Sequence, residues 1–77
     1  MSDEEHWKTL EAMGEKSYDL LYDARTPSEC RMHYSDIKDF FSDAIGEARR
    51  AGREDEAKRL EERVAHIKAV FRSQFNA

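Results

Sequence analysis

The run Thr26-Pro27-Ser28-Glu29 constrains this chain more than any other. A threonine hydroxyl can cap a helix start, proline is best tolerated at the first helical position, and a glutamate three residues after the cap can reach back to the entering backbone. Proline also turns the residue before it away from helical geometry, so a helix arriving from the N-terminal side has to stop near Arg25. One long polar-apolar pattern is thereby cut in two, and the chain folds back on itself.

Two further helix limits follow from the same chemistry. Ser2-Asp3-Glu4-Glu5 pairs a hydroxyl with a glutamate three places on, and its acids suit the positive end of a helix dipole. Gly52 supplies a natural C-terminal cap, with Arg49, Arg50 and Arg53 near the negative end of the helix that it closes. With 39 % charged residues, 3 glycines and 1 proline, there is little material for strands or long loops. The expected fold is all-α, an up-down-up antiparallel three-helix bundle with helices near 3–24, 27–51 and 54–75. Residues 1–77 form a single small helical domain, and a chain this short buries only about 60 % of its unfolded surface, so association with a second copy or a partner would add stability.

The apolar faces assign each helix its neighbours. In the first, Trp7, Leu10, Gly14, Tyr18 and Leu21 step by three and four, with Met13, Leu20 and Ala24 widening one flank. Gly14 interrupts that stripe at a cost of about 1 kcal/mol in helix propensity and reads as a packing notch. In the second, Cys30, His33, Tyr34, Ile37, Phe40, Phe41, Ala44, Ile45, Ala48 and Ala51 cover an arc of roughly 140°, enough to touch two neighbours. This is the expected central helix. The third carries a narrower stripe, Ala57, Leu60, Val64, Ile67, Phe71 and Phe75, with Glu54 to Lys58 and Asp55 to Arg59 spaced as four-apart ion pairs. Antiparallel packing then sets Trp7 beside Ala44, Ala48 and Ala57. Residues 48–57 resemble the inter-helix turn of a tetratricopeptide repeat. Glu61 stands where such repeats have a large apolar residue, and no second copy of the unit follows, so the likeness is one of hairpin chemistry and implies no family.

Little here points to catalysis. Cys30 and His33 have a spacing found in zinc sites, but His6 falls at the far end of the bundle and His66 on a solvent face, so no closed ligand set assembles. Glu29 with His33 and Glu62 with His66 are four apart, where carboxylate-bridged di-iron bundles use three. No nucleophile-base-acid cluster or phosphate-cradling glycine loop occurs. The expectation is a non-enzyme without cofactor or metal. The single cysteine excludes an internal disulfide, and without a leader or an apolar run near 20 residues the chain reads as cytoplasmic and not membrane-bound.

What remains is interaction. Tyr22, Cys30, Met32, His33, Tyr34, Val70, Phe71 and Phe75 gather at the end of the bundle away from Trp7, where apolar supply exceeds what facing helices need. The expected function is a non-catalytic protein-protein interaction or regulatory protein that presents a helical surface to another protein or its own copy, with Tyr22, Met32, Tyr34 and Val70 as partner-binding residues. The alternative is a nucleic-acid-associated regulator using Arg49, Arg50, Arg53, Arg59, Arg63 and Arg72 of the C-terminal third. Against it stand the interleaved Glu47, Glu54, Asp55, Glu56, Glu61 and Glu62 and the net charge of -4.

Overall fold

The computed structural model describes residues 5–74, and their order is α1 (His6–Asp23), α2 (Pro27–Arg50) and α3 (Glu54–Gln74). The fold is the all-α three-helix arrangement expected. The proposed capping run Ser2-Asp3-Glu4 and the side chain of Phe75 lie outside the described residues.

Both turns are built by the residues that predicted them. Thr26 is extended, its Oγ1 accepts from the Glu29 N–H at 3.1 Å, and Pro27 opens α2. The glutamate reciprocates one residue earlier than a simple capping box: the Arg25 N–H donates to Glu29 Oε2 at 2.9 Å. At the second turn Gly52 has φ +75°, the Arg53 N–H donates to the Ala48 carbonyl at 2.8 Å and the Gly52 N–H to the Arg49 carbonyl at 3.0 Å. This pair of bonds is a Schellman closure, and it needs a left-handed residue where the glycine stands.

α2 is central, as its broad arc requires. Its Ile37, Phe41, Ala44 and Ala48 are buried, together with Trp7 and Leu21 of α1 and Ala57, Leu60 and Ile67 of α3, in one core cluster. The large Trp7 ring and the small Ala44, Ala48 and Ala57 belong to this same cluster. Gly14 is the notch expected: a Cβ there would lie 2.7 Å from the buried Phe41 ring. The widened flank of α1 does not hold. Met13 and Leu20 are 44 % and 40 % exposed, while the smaller Ser17 is buried in that direction. They stand roughly 80–100° from the centre of the buried stripe, beyond the reach of α2.

α1 and α2 form the more extensive interface, and α3 packs on α2. α1 and α3 reach each other through charge. Arg59 makes a two-pronged contact with Glu11 at 2.8 and 2.9 Å, and Arg63 another with Glu15 at 2.7 Å for both prongs. Both pairs span the same 48 residues, so they set the register of two parallel helices. Arg59 also contacts Glu56 at 2.8 Å, whereas Asp55 pairs with Arg53 and Glu54 with Arg49. The expected Asp55–Arg59 and Glu54–Lys58 pairs thus give way to other partners. The molecule measures 38 × 22 × 13 Å, longer and flatter than a filled bundle.

A cationic furrow between the second and third helices

Two hollows lie along the seam of α2 and α3. The larger, of about 610 Å³, is lined by Ala24, Arg25 and Thr26 of the first turn, by Pro27, Cys30, Arg31, Tyr34 and Lys38 of α2, and by Phe71 of α3. The smaller, of about 330 Å³, is lined by Lys38, Ser42 and Ile45 of α2 and Glu61, Val64, Ala65 and Lys68 of α3. Lys38 lines both, so the two adjoin at its side chain, and together they are called the furrow. On α2 the lining residues keep to one face from Pro27 to Ile45, a length of about 27 Å at 1.5 Å per residue.

The floor of the larger basin is aromatic. Tyr34 and Phe71 lie parallel with ring centroids 3.8 Å apart, and Lys38 Nζ sits 4.7 Å from the Tyr34 centroid. Phe71 and Lys38 together occupy the Tyr34 ring, which leaves little of it for a stacking base. Cys30 is half-buried in the wall. It lies in the first turn of α2, but that turn's donors are largely spent: Pro27 has no N–H, the Glu29 N–H meets Thr26 Oγ1 and the Cys30 N–H meets the Thr26 carbonyl.

The charge around this floor is one-sided. Arg25, Arg31, Lys38 and Lys68 line the furrow and, among the described residues, none of them is in an ion pair. Arg31 donates to Ser28 Oγ at 3.4 Å. The one carboxylate in the lining, Glu61, is met by Arg49 at 2.6 Å. Asp36, Asp39 and Asp43 of α2 point roughly 110° or more away from the furrow.

Of the six arginines emphasised by the sequence, all but Arg72 behave in the opposite way. Arg49 meets Glu54 and Glu61, Arg50 meets Glu47, Arg53 meets Asp55 and Glu56, and Arg59 and Arg63 meet α1. The hydrogen bonds that Arg59 donates to Glu11 raise its pKa, and those that Arg63 donates to Glu15 raise that of Arg63. In return the Arg59 guanidinium holds the Glu11 carboxyl below its ordinary value. Their charge is committed within the molecule.

The expected partner-binding residues do not share one surface. Tyr34 lines the furrow. Met32 is 54 % exposed on the outer side of α2, roughly 130° from the furrow's centre line. Tyr22 is 51 % exposed and its hydroxyl is 3.1 Å from that of Tyr18, with the two rings edge to face. Arg63 lies 5.3 Å from the Tyr18 ring, which places this aromatic pair on the α1–α3 side, where burial and the Tyr22 hydroxyl push the Tyr18 pKa up to about 12. Val70 is half-buried, and the 48-residue register sets it level with Tyr22. The sequence reading missed Arg25, Arg31, Lys38 and Lys68, which share no local motif: Arg25 sits in the α1–α2 turn and the other three on the facing flanks of α2 and α3. His6 and His66 are exposed, far from the half-buried His33.

Comparison of the chain with protein-family models, with curated proteins and with solved structures finds no match.

Proposed function

We propose that this protein is a small non-catalytic interaction module that binds another protein along the α2–α3 furrow. The observation that carries the reading is the contrast in charge. In a chain of net charge -4 with most arginines held by carboxylates, four cations without a carboxylate partner among the described residues surround a preformed aromatic floor. Tyrosine is among the residue types that dominate binding energy at protein interfaces. The paired arginines of α3 favour a fixed frame over a nucleic-acid contact, because a phosphate would have to displace a carboxylate already bound.

Site-specific photo-cross-linking tests this. A photoreactive residue replacing Ser42, inside the furrow, is expected to give discrete protein adducts in cell extract that excess unlabelled protein competes away and Tyr34→Ala removes. The same residue replacing Met32 reports on the outer face. Saturable adducts from position 32 with none from position 42 would move the binding surface off the furrow.

A further inference from the structure

The furrow's chemistry narrows what it takes. α2 lines it from Pro27 to Ile45 and α3 from Glu61 to Phe71, with the α1–α2 turn completing the larger basin, and on each helix the lining residues share one face, as a third helix packed on the seam requires. Apolar side chains lie in both basins, Pro27, Cys30, Tyr34 and Phe71 in the larger and Ile45, Val64 and Ala65 in the smaller, with Lys38 between them. Its edges are positive on both helices, with Arg31 and Lys38 on α2 and Lys68 on α3, and Arg25 closes the end. A ligand matching all three features has an apolar stripe at helical spacing and acidic residues flanking it. Resting on the interaction reading above, we infer that the furrow binds an acidic amphipathic helix of another protein, laid along α2 and α3 as a fourth helix.

A phosphate group alone is a poorer match. The first turn of α2 has few backbone donors left, and a single phosphate would leave the apolar side chains of both basins uncovered.

The test uses a displayed library of amphipathic helical segments of about five turns, the length that matches the furrow, with one fixed leucine stripe and randomised flanking charge. Acidic segments are expected to be enriched. A fluorescein-labelled member should bind the purified protein with anisotropy that falls as salt rises, because the contacts are partly exposed ion pairs. The double variant Lys38→Glu/Lys68→Glu should weaken it at least tenfold. Lys8→Glu/Lys16→Glu, which changes net charge equally on α1, should change it less than threefold, both variants keeping the parent circular dichroism. As the only cysteine, Cys30 gives a second readout: bound peptide should slow its alkylation.

Several results would overturn the inference: enrichment of neutral or basic segments, no enrichment at all, or equal losses in the two double variants. So would oligothymidylate binding abolished by the furrow variant, or a concentration-dependent dimer in sedimentation relieved by it. If acidic segments fail while cross-links from position 42 persist, the ligand chemistry is wrong and the interaction reading stands. If both fail, both fall.

Discussion

At the scale of single residues, two glycines make opposite demands on the chain. Gly14 is helical, so alanine there would gain about 1 kcal/mol of propensity, yet the new Cβ would meet the Phe41 ring at 2.7 Å in the closed core. Overpacking of this kind costs about 1–3 kcal/mol. Gly14→Ala should therefore lose stability overall, seen as a lower urea midpoint with unchanged slope. At Gly52 nothing lies within 4 Å of an added Cβ, and the strain is in the backbone at φ +75°. Gly52→Ala should cost about 1 kcal/mol by conformation alone. The titration of single groups sets the pH limits. Glu11, held below its ordinary value of 4.5 by Arg59, contributes stability that is present above that value and lost as pH falls through the depressed one. Tyr18 works the other way. Its folded pKa is raised from 10.0 to about 12, so its contribution is complete below 10.0 and is lost as pH rises toward about 12. Glu11→Gln should flatten the acid limb of a stability-pH curve and Tyr18→Phe the alkaline limb. A limb left unchanged by its variant would remove that assignment.

At the scale of helices, the ends were legible and the partnerships were not. Thr26-Pro27-Ser28-Glu29 and Gly52 act within a few residues of themselves, so their outcome is written locally. Even there, Glu29 bonds the Arg25 N–H, one residue beyond the simplest expectation. Arg59 illustrates the difficulty. It has Asp55, Glu56 and Glu11 as candidate partners, and only the register between α1 and α3 decides that Glu11 and Glu56 win. That register is testable as a coupling. Glu15 with Arg63 should show about 0.5–1 kcal/mol of interaction in a double-mutant cycle, the upper range for a partly exposed pair, and most of it should vanish in 1 M salt. The mismatched pair Glu11 with Arg63 should couple more weakly, and equal coupling would mean that the ladder does not fix the register. The furrow was illegible for a related reason. Its cations are scattered over Arg25, Arg31, Lys38 and Lys68, and an unpaired lysine looks the same in sequence as a paired one. Met32 and Val70 were grouped by chain position, although rotation about each helix axis separates them.

At the scale of the whole molecule, the charge asymmetry between halves acquires a structural use. Residues 1–45 hold 5 Lys/Arg against 11 Asp/Glu and residues 46–77 hold 8 against 6. Part of that difference is spent in tying α3 to α1. The interfaces are nevertheless unequal: α1 and α2 share the larger apolar contact, while α3 rests on α2 and on ion pairs. Regions with less buried apolar contact open at lower free energy. Native-state hydrogen exchange should accordingly release amides of α3 before the core amides of α1 and α2, with the gap widening as salt is added. Uniform protection across all helices would show a single cooperative unit. If α3 does open first, its detachment also removes one wall of the furrow. Whatever seats there would then act as a clasp on the last helix, and occupancy would be felt as slowed breathing at Leu60, near the opposite end of the seam from the Tyr34 ring.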